Sequence, residues 1–286
     1  MKQYLPHHEK RLSQGIRDFV EKYYSSHGDS PIEFLGGAWK SNQFRQESAI
    51  KRLFHFLPSE PTLLLDSEVD DEFFNLRITY WNGSCESYHY QTVISSLPYT
   101  ELLKKWAIER TGKQTGPVNY APEDYKKFSQ FMIACQCLLI GFFADFHYQM
   151  FHEMSPKSSV YLSGIYNSFP DAETRKLMFD HFVKSHEHTF STWEVTDKDY
   201  FLPDFKLQLA QGLATLPDKS WAEKQLIAAM RSWLDLRTLN VSKSEAIRDL
   251  LNAVLESANT VEDNEFLSQL KVVKQQIQAI NVIRDE

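Results

Sequence analysis

Residues 73–95 read FFNLRITYWNGSCESYHYQTVIS, and this stretch decides the fold class. Aromatic and β-branched residues alternate with polar ones on both sides of Asn82-Gly83. Asn-Gly favours a two-residue type I′ turn, because both central residues of that turn take a positive φ. The stretch therefore predicts a β-hairpin with strands over residues 73–81 and 85–95. One strand face is more polar than the other, which predicts a small antiparallel sheet with helices on a single side.

Outside the hairpin, most hydrophobic residues follow the period of α-helices. The run Thr62-Leu63-Leu64-Leu65 instead predicts a further short, buried strand. The segment over 122–153 is apolar nearly all round, which is typical of a central buried helix. Helices are predicted over about a dozen residues from Pro98 and over 8–26, 43–57, 122–153, 158–167, 171–187, 204–216, 221–236, 243–257 and 262–283.

The predicted fold class is mainly α with a small antiparallel β-sheet. Residues 1–120 are predicted to form an α+β part, and residues 121–286 a helical bundle or short α-solenoid. Of the 20 Phe, 13 Tyr and 6 Trp residues, only Trp221, Trp233 and Phe266 lie beyond Phe205. The helices of residues 207–286 are therefore predicted to be aliphatic.

Charge and cysteine usage restrict the function classes. The chain carries 31 Lys and Arg against 38 Asp and Glu, a formal charge of −7, which argues against nucleic acid as a partner. Three cysteines without CxxC spacing favour free thiols in a reducing compartment. No apolar leader is expected at the N-terminus, and the apolar run over 131–146 is expected to be too short to span a membrane. The predicted location is the cytoplasm.

The candidate cofactor-binding and catalytic motifs in this sequence each lack residues that the motif requires. Gly112-Lys113-Gln114-Thr115 resembles a phosphate-binding loop only in part, because Ala107 replaces the required first glycine and Gln114 the required Ser or Thr. No G-x-S-x-G sequence surrounds Ser84. We therefore predict no cofactor and lean towards a protein that is not an enzyme.

Five of the ten histidines fall between residues 147 and 188. Pairs seven residues apart share a helical face, and two such faces could supply nitrogen and oxygen ligands to Zn, Mn or Fe. Neither HExxH nor Glu-x-x-His accompanies them. Ordinary surface histidines are the simpler interpretation, and the alternative is a metal site, with hydrolase activity, formed by His147, His152, His181 and His188.

Arg175 and His181 have an R-x5-H spacing that follows an acidic helix start. This spacing resembles the Arg-x(4–6)-His pattern of HEPN-type RNases, which are all-helical proteins. The resemblance covers seven residues. It lacks the polar residue that the family favours directly after the arginine, because this sequence has Lys176 at that position. It implies that His181 would act as acid or base and that Arg175 would stabilise developing phosphate charge.

Two surfaces are predicted to bind another protein. On the hairpin, Trp81, Tyr88 and Tyr90 would be exposed aromatic anchors. The last predicted helix carries apolar residues at the four-three spacing of a helix-pairing seam, namely Phe266, Leu270, Val273, Ile277 and Ile280. Packing of this seam on the helix over 243–257 is the other interpretation. The predicted function is that of a cytosolic adaptor, immunity factor or regulatory factor that binds a protein without catalysis.

Overall fold

The computed structural model describes most of the chain up to residue 236. The described residues are 5–24, 47–70, 72–81, 88–112, 118–152, 161–193 and 202–236, with the single positions 32, 34, 272 and 275. The predicted helix over 243–257 lies outside them. So does the helix over 262–283, except that Val272 and Gln275 are helical.

Within these ranges the protein is mostly helical with one three-stranded antiparallel sheet, so the predicted fold class is confirmed. The elements in chain order are α1 (Leu5–Tyr24), α2 (Glu47–Phe56), β1 (Thr62–Val69), β2 (Phe74–Trp81), β3 (His89–Leu97), α3 (Tyr99–Thr111), α4 (Pro122–His152), α5 (Tyr161–Ser168), α6 (Ala172–Trp193), α7 (Leu202–Leu213) and α8 (Ser220–Leu236).

The chain forms two compact units that do not follow the predicted boundary at residue 120. The first unit comprises Met1–His147 and Asn167–Phe182, and the second comprises Tyr148–Tyr166 and Val183–Glu286. The boundary differs because α4 packs on the sheet that precedes it. The ring of Phe128 lies 5.9 Å from that of Phe74, and the ring of Phe143 lies 4.5 Å from that of Tyr80.

The sheet of the first unit has the strand order β1-β2-β3. The predicted antiparallel pairing of β2 with β3 is confirmed. A two-residue turn at Asn82-Gly83 would place Cys85 opposite Tyr80, but His89 is paired there. The described strands therefore do not have the register that a two-residue turn would give, and the turn itself stays a prediction. Asn82-Gly83 itself lies outside the described residues.

Helices contact both faces of this sheet, so the prediction of helices on a single side is also wrong. Tyr80 and Trp81 are successive residues of β2 and therefore point to opposite faces. The Tyr80 ring contacts Phe143 of α4, whereas the Trp81 ring lies 5.6 Å from Phe54 of α2. We call the face towards α4 the inner face and the face that carries Trp81 the outer face.

The first unit is built on α4, as the apolar pattern predicts. Over Pro122–Tyr148 this helix is, by length and composition, long and apolar enough to cross a membrane, and an 18-residue window within it has a mean hydropathy of 1.5, so the expectation of too short an apolar segment is wrong. However, 89% of that 18-residue stretch is buried inside the protein, which is typical of a core helix. The aromatic contacts of α4 extend to the middle of α6, where the ring of Phe182 lies 6.0 Å from that of Phe142.

Two close contacts hold α1 against α4. Gly15 lies so near Ile133 that an added Cβ would stand 2.8 Å from its Cγ2 atom. At the C-terminal end of α1, the buried Tyr24 hydroxyl lies 2.9 Å from Asp145 Oδ1 and 3.0 Å from the carbonyl oxygen of Gly141. A small residue in the middle of α1 and a polar one at its end thus both bring this helix against α4.

Asp171 caps α6 and ties it to α3. Its Oδ1 atom accepts hydrogen bonds from the backbone N–H groups of Glu173 (2.9 Å) and Thr174 (3.0 Å), which are typical N-cap bonds. Its Oδ2 atom accepts a bond of 2.7 Å from the indole nitrogen of Trp106, and Lys105 adds an ion pair at 3.3 Å. The start of α6 is thereby joined to a fully buried tryptophan.

In the second unit, α7 and α8 form a helical hairpin whose connection is held by polar contacts. Lys219 donates through its ammonium group to the carbonyl oxygens of Leu216 (2.7 Å) and Ala214. The sequence predicts Ser220 as the N-cap of α8, in a capping box with Glu223. The carboxylate of Asp218 accepts bonds from both the N–H and the hydroxyl of Ser220, at 3.0 and 2.7 Å. The predicted helix start is confirmed, since α8 begins at Ser220.

Candidate interaction surface

Trp81 is buried, contrary to the prediction of an exposed anchor. Only 2% of the residue is exposed, and its ring packs edge-on against Phe54. Its indole nitrogen donates a hydrogen bond of 2.8 Å to the carbonyl oxygen of Leu57. The physical reason is that α2 covers the outer face where β2 ends, so Trp81 joins the helix to the sheet.

Tyr88 completes the same cluster and is half-buried. Its ring lies 6.0 Å from that of Phe54, and its hydroxyl donates to Glu47 Oε1 at 3.3 Å. Desolvation and the charge of Glu47 raise the pKa of Tyr88. Glu47 also forms an ion pair of 3.2 Å with Lys51, which lowers the pKa of the Glu47 carboxyl. Tyr88 thus supports α2 from the sheet and keeps part of its surface accessible.

Three large side chains of the first unit are exposed at the end of α2, directly after it, and on β3. The exposed fractions are 81% for Phe56, 37% for Leu57 and 53% for Tyr90. We call these three residues the aromatic surface. Tyr90 was predicted from the sequence, whereas Phe56 was missed. The sequence does contain a signal for the exposure of Phe56. It lies two residues from Phe54, and helical residues two apart lie on nearly opposite sides, so the two cannot both face the sheet.

A charged row lies beside Tyr90 on the outer face. The guanidinium of Arg77 donates to Asp66 at 3.1 Å and to Glu68 at 2.9 Å, and all three side chains are half-buried. Burial alone would lower the pKa of Arg77, but the bonds to Glu68 and Asp66 outweigh it and raise the pKa. The row is acidic overall, because two carboxylates share one guanidinium.

The residues of the nuclease and metal alternatives do not assemble into a site within the described residues. Arg175 and His181 both lie on α6, but six residues turn a helix by about 240°, so the two do not share a face. His147 is half-buried at the end of the first unit. The side chains of His152 and His188 lie outside the described residues, and the described ones contain no group of three or more His, Cys, Asp and Glu that could hold a metal ion.

The two described cysteines are unsuited to nucleophilic chemistry. Cys135 and Cys137 are free thiols buried in α4. Burial raises the pKa of Cys135, and it raises the pKa of Cys137 to about 12. A cysteine nucleophile needs a lowered pKa and access to solvent, and neither thiol has them. Cys85 lies outside the described residues.

The second predicted surface, from Phe266 to Ile280, cannot be described. Phe266, Leu270, Val273, Ile277 and Ile280 lie outside the described residues. Their neighbour Val272 is helical and 51% exposed. The helix-pairing seam therefore stays a prediction.

Comparisons of the chain with protein-family models, with curated proteins and with solved structures find no match. The interpretation of the aromatic surface therefore depends on its own geometry.

Proposed function

We propose that this chain is a non-catalytic cytosolic interaction protein, an adaptor, immunity or regulatory factor that binds another protein through its aromatic surface. The observation that carries the proposal is Phe56, a phenylalanine that is 81% exposed at the end of a helix. Aromatic residues, phenylalanine among them, are enriched at protein interfaces relative to the rest of the surface. An exposed aromatic ring on a well-fixed support is typical of such an anchor.

The support of Phe56 is fixed by contacts on the opposite side of α2. Phe54 packs between the rings of Trp81 and Tyr88, and the Leu57 carbonyl is bonded to Trp81. A partner would therefore immobilise little more than the side chains it touches, which lowers the entropy cost of binding. Burying the Phe56 ring would contribute about 1.5–3 kcal/mol. Tyr90 would add apolar area and a hydroxyl that can bond to a partner.

Affinity capture from native lysate, read by mass spectrometry, tests the proposal. The full-length chain is compared with the double variant Phe56→Ala/Tyr90→Ala and with Tyr120→Ala. Tyr120 is a matched control, since it is a 40% exposed aromatic residue elsewhere in the first unit. We expect one stoichiometric partner that the double variant loses and the control keeps. Its affinity, remeasured with purified proteins, should fall by at least about tenfold in the double variant.

Two outcomes of this experiment would contradict the proposal. Equal capture by all three proteins would reject the aromatic surface as the binding site, provided that circular dichroism shows the same fold. If no form captures a partner, the adaptor proposal fails. RNA cleavage that is lost in His181→Ala, or stoichiometric metal in the purified chain, would then favour the enzyme alternatives in the region from His147 to His188.

A further inference from the structure

The two edges of the sheet are built differently. The pairing of β3 with β2 shifts register between Phe74 and Arg77, and Ser96 of β3 has a φ of 52°. The backbone N–H of Ser96 bonds to the side chain of Asn75 instead of to a strand, at 2.7 Å. Bulges and irregular backbone of this kind protect an edge against further pairing. The edge at β3 is therefore a poor template for another strand.

The edge at β1 has none of these protections. Its eight residues pair with β2 without a shift, from Thr62 opposite Trp81 to Val69 opposite Phe74. Within the described residues, no strand lies on its other side. The strand Thr62–Val69 contains no Pro, Lys or Gly. Every second N–H and C=O group of β1 therefore points away from β2, along a regular edge that can pair with an extended chain.

The side chains of this edge indicate what kind of chain would pair. Asp66 and Glu68 lie on the outer face, and their only basic neighbour in a described ion pair is Arg77 of β2. Two more exposed carboxylates follow directly, Asp70 and Glu72. Asp70 accepts the backbone N–H groups of Phe73 and Glu72, which lowers its pKa and keeps it ionised at neutral pH. An added strand would thus lie beside the carboxylates of Asp66 and Glu68, with two more carboxylates in the turn that follows β1.

We infer that β1 accepts an extended, basic segment of a partner protein as a fourth strand, with lysine or arginine alternating with apolar residues. The backbone of the segment pairs with the edge of β1, its basic side chains pair with Asp66 and Glu68, and its apolar ones lie beside Leu63 and Leu65 on the inner face. A second copy of this chain fits less well, because its own β1 brings the same carboxylates to the edge, and like charges on neighbouring strands oppose pairing. The inference rests on the proposed function that the chain binds a protein.

Synthetic peptides test the inference on the full-length chain. The probe is a fluorescent octapeptide of alternating lysine and valine, read by anisotropy. One control alternates glutamate with valine, and the other has the four lysines first and the four valines after them. We expect saturable binding of the probe, at least about tenfold tighter than that of either control, because only the probe combines opposite charge with strand alternation. Equal binding of the scrambled peptide would overturn the inference, since it would show attraction by charge alone.

Hydrogen–deuterium exchange locates the bound probe. The expected result is slower amide exchange in Thr62–Val69 and unchanged exchange in His89–Leu97. The double variant Asp66→Asn/Glu68→Gln should bind the probe severalfold more weakly, and its affinity for the scrambled peptide should be unchanged. Protection confined to β3, or no binding of the probe, would contradict the inference.

Two proline variants provide a test of the backbone pairing. Neighbouring residues of a strand point their N–H groups in opposite directions, so one of Leu64→Pro and Leu65→Pro removes an outward N–H and leaves the ladder to β2 intact. Whichever variant keeps the native circular dichroism should lose the probe. If it binds as well as the unmodified chain, the edge is not the site.

These outcomes separate the inference from the proposed function. Loss of probe binding with intact capture of a partner rejects the β1 edge alone. Intact probe binding, with partner capture that is unaffected by Phe56→Ala/Tyr90→Ala, rejects the aromatic surface alone.

Discussion

The indole nitrogen of Trp81 donates a hydrogen bond of 2.8 Å to the carbonyl oxygen of Leu57. This bond joins the last residue of β2 to the residue that follows α2. The same carbonyl, which the end of the helix leaves without an intrahelical partner, also accepts the backbone N–H of Glu60 at 3.3 Å. The exposed Phe56 directly precedes Leu57, so the position of the proposed anchor depends on a buried residue of the sheet.

Replacing Trp81 should therefore affect stability first and binding second. Trp81→Ala leaves a cavity beside Phe54 and should lower the free energy of unfolding by about 3–5 kcal/mol. Trp81→Phe keeps a ring but loses the bond to Leu57, and it should cost less, roughly 1–3 kcal/mol. Urea unfolding followed by circular dichroism measures both. An alanine variant as stable as the unmodified chain would show that Trp81 is not part of the core.

Gly15 should tolerate no side chain, because a Cβ there would lie 2.8 Å from Ile133 Cγ2. Gly15→Ala should destabilise the chain by about 1–3 kcal/mol despite the better helix propensity of alanine. The double variant Gly15→Ala/Ile133→Ala removes the clash and should lose less stability than the two single changes added together. Thermal unfolding of the four proteins measures this coupling. Strict additivity would contradict the close approach of α1 to α4.

Asp171 should make the stability depend on pH in the acid range. Burial alone raises the pKa of its carboxyl, but the N–H of Thr174, the indole of Trp106 and the charge of Lys105 outweigh it and lower the pKa. A carboxyl whose folded-state pKa is lowered stabilises the fold above its unfolded pKa of about 3.9 and loses that contribution as pH falls through the folded pKa.

The variants Asp171→Asn and Asp171→Ala separate charge from capping. Asn keeps a side-chain oxygen for the N-cap, so Asp171→Asn should flatten the pH dependence between about pH 2 and 5 at a small cost at neutral pH. Asp171→Ala should lose about 1–2 kcal/mol at neutral pH because the cap is gone. Denaturant titrations at several pH values give both quantities. An unchanged pH profile for Asp171→Asn would mean that this carboxylate contributes nothing through its charge.

The thiols of Cys135 and Cys137 should not react in the folded protein. Burial raises the pKa of both, so their thiolate populations are negligible near neutral pH. Their contribution to stability is complete below the unfolded pKa of about 8.5, and it declines as pH rises through that value towards the folded one. A chromogenic thiol reagent at pH 8 should react with no more than one thiol per native chain, and so release no more than one equivalent of chromophore. It should release three in denaturant, since the chain has 3 Cys. Rapid release of all three from native protein would contradict the buried position of both thiols.

Local patterns predicted what local physics determines. The alternation over 73–95 predicted the β2–β3 pairing, and the apolar stretch over 122–153 predicted a buried α4. The pairing of Tyr80 with His89 was not predictable from local sequence. It is accompanied by stacking of their two rings and by a register shift near Leu76, and neither feature is visible in the alternation pattern. Local sequence favoured a tight Asn-Gly turn, but the described pairing does not have the register that such a turn would give.

The surface was harder to predict than the fold. Alternation along β2 assigns Trp81 to the face opposite Tyr80, but it does not show that α2 covers that face. The contact of Trp81 with Phe54 joins residues that are distant in sequence, so its burial was missed. The same contact explains why Phe56 is exposed, since Phe54 and Phe56 lie on nearly opposite sides of α2.

Photo-crosslinking in cells tests the central claim most directly. The photoreactive residue p-benzoylphenylalanine replaces Phe56 in one protein and Tyr120 in a control protein, and the adducts are identified by mass spectrometry. The account predicts one discrete protein adduct at position 56 that is absent at position 120. No discrete adduct at position 56, or the same adducts at both positions, would contradict the claim that the aromatic surface binds a partner.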